Sequence, residues 1–135
     1  MTEAKPLRRR FLLLRLLRGS LVLGALYDLG FAALMVLAPD LPARLLALPL
    51  PNEDFYLWLM AIFLSMLASL YLAAARDPRR YSAVIAVAIA GRTLGGLAFL
   101  LASRGRPELQ GLIPLAAADF AFALGHLAFW IPLRR

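Results

Sequence analysis

The 135-residue chain has no cysteine and one histidine, His126. Without a thiol it has no disulfide framework, thiolate metal site or cysteine nucleophile. One imidazole per chain means that a metal centre or a bis-histidine haem would need carboxylates or a second copy, so no metal is assigned and no cofactor is specified. Charge is also scarce, at 17% of residues against about a quarter in soluble domains. No glycine-rich nucleotide loop is present.

What fills the chain is apolar: 62% of residues are hydrophobic. A water-soluble fold of this composition would lack the polar surface to cover itself. The net charge of +7 would suit nucleic acid, but the basic residues sit in short clusters between apolar runs, without zinc spacing or base-stacking motifs. No nucleic-acid partner is therefore expected.

Four apolar runs are long enough to cross a bilayer, which takes about 20 helical residues. They lie near residues 20–38, 55–75, 82–102 and 111–132. The gaps carry turn residues: the segment from Ala38 to Phe55 holds four prolines, and Asp77-Pro78 and Gly105 mark the next two. The expected fold class is all-α, an integral membrane four-helix bundle over residues 20–135, preceded by a short basic amphipathic segment at 1–19. Between Ala43 and Leu50, the first gap reads either as a short helix starting near Asp40 and ended by Pro49, or as an ordered loop.

Lys5, Arg8, Arg9, Arg10, Arg15, Arg18, Arg76, Arg79, Arg80, Arg134 and Arg135 fall on one side of the four spans, and Arg44, Arg104 and Arg106 on the other. The positive-inside rule then places both termini in the cytoplasm, in a membrane of the bacterial inner (plasma) type. Phe55, Tyr56 and Trp58 would meet the outer interface, and Tyr81 and Trp130 the inner one. The N-terminal segment is expected to lie on the inner leaflet against anionic lipid headgroups, with a break at Gly19-Ser20. Arg8, Arg9, Phe11 and Leu12 resemble part of a twin-arginine export signal, but its flanking polar residues and a small-residue cleavage site are missing.

Asp28, Arg92, Asp119 and His126 lie inside the spans. A charge near mid-bilayer costs at least ~2.5–3.5 kcal/mol, so such groups pair, face the bundle interior or line a wet cavity. Steps of three and four from each reach small residues: Ser20, Gly24 and Ala32 from Asp28; Ala88 and Gly96 from Arg92; Ala116 and Ala123 from Asp119. Each ionisable group thus sits on the face expected to pack against other helices. Asp28 and Arg92 fall at similar depth, with Asp119 close by, and the guanidinium fork can reach either carboxylate or both. His126, seven residues beyond Asp119, is about 10 Å further along the axis. Two aspartates against one arginine leave −1 with His126 neutral, and one proton on His126 or on an aspartate would cancel it.

Such a cluster serves as internal glue or as a functional centre. The leading expectation is a site for a lipidic or other small hydrophobic ligand, lined by Tyr27, Ser65, Ser69 and Phe122, with Tyr71, Phe99, Met35 and Met66 as further candidates. The same surface would serve an accessory subunit docked to a larger membrane complex. The alternatives are a proton-coupled transporter working as an oligomer, with Gly91 and Gly95 as one contact face, and an acid–base isomerase or cyclase on a lipid-soluble substrate. Ser65 and Ser69 lack a histidine or lysine partner at a catalytic spacing and also read as helix-packing serines.

Overall fold

The computed structural model describes residues 4–134. Residues 1–3 of the expected surface segment, and Arg135 of the basic count, lie outside the described residues. Five α-helices follow in order: α1 (Ala4–Leu37), α2 (Asp40–Leu46), α3 (Asp54–Arg76), α4 (Ser82–Ser103) and α5 (Leu112–Arg134), with a 3-10 turn at Pro107–Leu109 before α5. α1, α3, α4 and α5 are each long and apolar enough to cross a membrane.

The observed helices lie within a few residues of the four expected spans, with one difference. The helix of the first span does not begin near Ser20; α1 runs unbroken from Ala4 through Gly19 and Ser20 to Leu37. The reason is a single buried stripe. Leu17, Leu21, Ala25, Asp28, Ala32 and Met35 are all buried, at steps of four and three along one face. Leu17 belongs to that stripe, so a break after it would pull it out of the core. Glycine inside a helix costs only about 1 kcal/mol, and the Ser20 hydroxyl donates back to the Leu17 carbonyl (2.9 Å) without interrupting the turn. At about 1.5 Å per residue, the 34 residues of α1 measure roughly 50 Å against a hydrocarbon core of about 30 Å.

α1 packs along α3, α4 along α5, and α1 also along α5, while α3 meets α4 over a shorter contact. Short connections make sequential helices antiparallel. One end of the bundle therefore carries the α3–α4 turn and the end of α5, and the other carries α2 and the α4–α5 turn. Small residues line the close contacts: Ala25, Ala68 and Ala88 form one buried cluster with Tyr71. The large apolar side chains face outward, among them Leu23, Leu26, Ile62, Phe63, Leu94 and Leu124, each more than half exposed. That is the arrangement a lipid-facing surface needs, since bilayer tails solvate leucine as well as a protein core does.

The proline-rich first gap resolves as a short helix, α2. It starts at Asp40 and ends at Ala47, which adopts the left-handed conformation (φ 48°) and donates its N–H to the Ala43 carbonyl. Pro42 is buried beneath it. The C-terminal end of α2 rests on the segment that leads into α5: a Cβ added to Gly111 would collide with the Leu46 carbonyl, so only glycine permits that approach.

Candidate functional site

Arg92 sits midway along α4 and is buried. Its Nη2 donates to Asp28 Oδ1 of α1 at 2.6 Å, and its Nη1 donates to Asp119 Oδ1 of α5 at 2.7 Å. A longer contact of 3.5 Å runs from Nη2 to the Gly24 carbonyl. One guanidinium therefore ties three helices together, as its planar fork permits. Lysine, a point charge on a flexible stem, has no such fixed geometry. Both aspartates pair with Arg92, which settles which of them does so: neither alone.

Rings surround the pair. The guanidinium carbon lies 5.1 Å from the Phe122 ring, 5.2 Å from Tyr27 and 5.6 Å from Tyr71. Cations within about 6 Å of an aromatic face gain ~0.5–2 kcal/mol, most when desolvated. Two glycines of α4 are placed to admit α5. A Cβ on Gly95 would lie 3.0 Å from Asp119 Oδ2, and one on Gly96 would lie 3.0 Å from the Phe120 ring. Gly91, one turn earlier, has nothing within 4 Å of that position.

The network is not fully satisfied. Asp28 Oδ2 and Arg92 Nε are buried without a hydrogen-bond partner. Unpaired polar atoms in an apolar interior cost about 1–3 kcal/mol each, more when charged. Beside them lies a cavity of about 250 Å³, lined by Asp28, Arg92 and Asp119 together with Tyr27, Phe31 and Phe99. The rest of its wall comes from α3 through Leu57, Met60 and Leu64, from α5 through Leu112 and Leu115, from Met35 of α1, and from α2 and the loop after it through Pro42, Ala43 and Leu50. The cavity is thus apolar except where the charged triad meets it, and α2 covers part of it.

Of the residues expected from sequence, Asp28, Arg92 and Asp119 meet directly. Tyr27 lines the cavity, as do Met35 and Phe99. Phe122 stands behind Tyr27, with ring centroids 5.5 Å apart. Ser65 and Ser69 are elsewhere: their hydroxyls donate to the Ala61 and Ser65 carbonyls (2.8 and 2.9 Å), and both residues, with Met66, border a shallow groove between α1 and α3. A mid-helix serine in an apolar setting satisfies itself on the preceding turn, which is why sequence position alone put these two in the wrong wall. His126 is fully buried but forms no bond to the triad; it stacks with Phe122 and meets Tyr71 edge-on, both at 6.1 Å. Neither of its ring nitrogens makes a well-formed hydrogen bond, the Ser20 carbonyl being the polar group beside it. Among the described residues, no group of three or more carboxylate or imidazole side chains converges as a metal site.

Sequence reasoning missed the contribution of α2 and the proline-rich loop to the cavity wall. The signal that pointed there was the length of the first gap combined with its four prolines, which stiffen a connection enough to pack as a cover.

The fold and site define a class: an all-α chain with four helices of membrane-spanning length and apolarity, crosslinked inside by a buried Asp–Arg–Asp cluster. No protein-family model, curated protein or solved structure matches the chain.

Proposed function

We propose that this is a small membrane binding protein whose cavity holds one lipophilic molecule with its polar end against Asp28 and Arg92. The cavity carries the reading, because Asp28, Arg92 and Asp119 form the one charged stretch of its otherwise apolar wall, with two partnerless polar atoms buried just behind that stretch. An architectural ion cluster would be expected to close over itself in packed apolar residues, since an incomplete buried network is less stable than an apolar core. In this reading both termini face the cytoplasm, in an inner-membrane setting. Arg8, Arg9, Arg10, Arg15, Arg18, Arg76, Arg79, Arg80 and Arg134 cluster at that end, where anionic headgroups would hold them. The cavity then lies in the outer half of the bundle, beneath α2.

The size of the ligand follows from the volume. An apolar cavity of about 150 Å³ accepts benzene. By the same ratio, the 250 Å³ here suits about ten non-hydrogen atoms. Octan-1-ol is a probe of that size with one polar end. The chain supplies its own reporters: Met35 and Met60 line the cavity, and Met66 lies on the separate groove. Methyl-labelled methionine in nanodiscs of zwitterionic lipid should show saturable shifts at Met35 and Met60 with octan-1-ol, while Met66 stays still. Ala43→Phe, which fills the cavity from the α2 side, should abolish the shifts. Parallel, unsaturable drift at all three methionines would mean simple partition into lipid and would sink the reading.

A further inference from the structure

We infer that the bundle carries a second site, at the end opposite α2, that holds the headgroup phosphate of one anionic phospholipid in a fixed place. This site is separate from the cavity and does not depend on what the cavity binds.

The site is a groove of about 930 Å³ enclosed by three parts of the chain: α1 from Leu7 to Arg18, the α3–α4 turn and the end of α5. It exists because α1 does not break at Gly19-Ser20. An N-terminal segment lying flat on the leaflet would carry Arg10 and Leu14 away from the turn. As one continuous helix, it shares the groove with Pro78 and Leu133 instead. Small-molecule sites occupy roughly 300–1,000 Å³, so there is room for a headgroup with its glycerol and not for a lone ion only.

The depth matches a headgroup. Arg18 is ten residues from Asp28, and Trp130 is eleven from Asp119. At about 1.5 Å per residue, both lie roughly 15 Å from the triad. With the triad at mid-bilayer, that is the edge of a hydrocarbon core about 30 Å thick. The groove starts at this edge and runs outward. Leu14 and Leu133 in its wall offer an acidic peptide or a soluble anion little, but they suit the first methylenes of an acyl chain.

The charge selects the head. Arg10, Arg18, Arg79 and Arg134 line the groove, against one carboxylate, Asp77. That carboxylate is engaged in the turn, where Oδ1 accepts the Arg80 backbone N–H at 3.2 Å. Among the described residues, none of the four guanidiniums forms an ion pair. Two of them are nevertheless held in place. Arg18 donates to the Arg76 carbonyl at 3.2 Å, with other N–H groups to spare, and Arg134 lies over the Trp130 ring at 4.7 Å. Guanidinium forks match phosphate oxygens in pairs. Basic residues scattered over a surface attract anionic lipid without fixing it. Arg8, Arg9 and Arg15 are of that kind, because they lie on the same helix but outside the groove.

Native mass spectrometry of the full chain in detergent tests the site, with dioleoylphosphatidylglycerol and dioleoylphosphatidylcholine titrated in turn. The first phosphatidylglycerol should bind at least about tenfold tighter than the first phosphatidylcholine, whose choline brings a cation among arginines. Arg10→Gln with Arg79→Gln should cut that preference to within about threefold, while Arg8→Gln with Arg9→Gln, the same change in charge, should leave it intact. All four arginines are exposed, so neither pair of changes disturbs the core. Excess glycerol 3-phosphate should not displace the bound lipid. No preference for phosphatidylglycerol, or an equal response of the two double variants, would overturn the site in favour of diffuse attraction. Displacement by glycerol 3-phosphate would overturn the lipid as its occupant.

Discussion

The two halves of this bundle are built from the same four helices, yet one is packed at its centre, with a groove at its end bordered by Arg10, Arg18, Asp77 and Trp130, and the other is hollow where it meets the triad. At the end that carries the α3–α4 turn, Leu17, Leu21, Ile85 and Trp130 interlock with Ala74 and Ala75. His126 lies between that cluster and the triad, fully buried among rings. Towards the α2 end, the buried residues are smaller or more flexible, Ala32, Met35, Leu57 and Ala61, and the centre is left open as a cavity. Leu17, Leu21, Ile85 and Trp130 fill one end; at the other a single buried leucine, Leu57, stands with two alanines, a methionine and the seven-residue α2. A chain that needed only stability would pack both ends alike, because dispersion contacts are what hold helices together in lipid. The contrast is what the proposed binding role builds on.

The largest effect should come from the point where the halves meet. Arg92→Met leaves two aspartates buried without a counter-ion, and removing one partner from a buried charge network costs about 3–5 kcal/mol. Leu17→Ala, wholly within the packed half, removes dispersion contacts without stranding a charge. Its unfolded reference state also remains in apolar lipid, so its loss should be near the low end for leucine truncations, about 2 kcal/mol. Unfolding in mixed micelles, followed by circular dichroism, compares the two. If Leu17→Ala costs more than Arg92→Met, the packed half holds the fold alone and the triad is retained for binding at little structural benefit.

The part of this arrangement that could be read from the sequence is the part governed by transfer energy. The span limits near Phe55, Ser82 and Leu112 are visible because apolar runs end where charges and prolines begin. The triad is visible because a charge in lipid must find a partner, and because Gly24, Ala88 and Gly96 mark the faces where helices approach. Shape was not visible. Whether Gly19-Ser20 breaks a helix depends on Leu17 being buried by Trp130 and Ile85, contacts that join distant parts of the chain. Whether a centre is filled or empty depends on the sum of side-chain volumes across helices. Ser65 and Ser69 read as interior from their place among small residues, but helix rotation turns them to a surface groove.

A finer test separates two glycines one turn apart on α4. Gly95→Ala puts a methyl 3.0 Å from Asp119 Oδ2, tighter than most such contacts, so the carboxylate must give by a few tenths of an ångström. Held through Oδ1 by Arg92, it yields at a cost, and overpacking of this kind costs about 1–3 kcal/mol. Gly91→Ala meets nothing within 4 Å and should be neutral or slightly stabilising, since alanine is the better helix former. The same unfolding assay reads both. A loss at Gly91 comparable to that at Gly95 would show that Gly91 packs against another molecule, as an oligomer through this face requires.

The smallest expected effect probes the cover itself. Ala47 ends α2 in the left-handed region, at φ 48° and ψ 41°, where a Cβ crowds the following carbonyl and costs about 1–2 kcal/mol. Ala47→Gly removes that strain but loosens the unfolded chain, so the net gain should be under about 1 kcal/mol. Global unfolding would barely register it. Hydrogen exchange at α2 would, because the cover opens over a cavity with few contacts beneath it, and local opening reports local free energy. Protection should rise at the Ala47 amide, which donates to Ala43, and stay constant at Leu21 and Ile85 in the packed half. Equal changes in both regions would mean that α2 unfolds only with the whole bundle, and the hollow half would then be a fixed cavity without an independently opening cover.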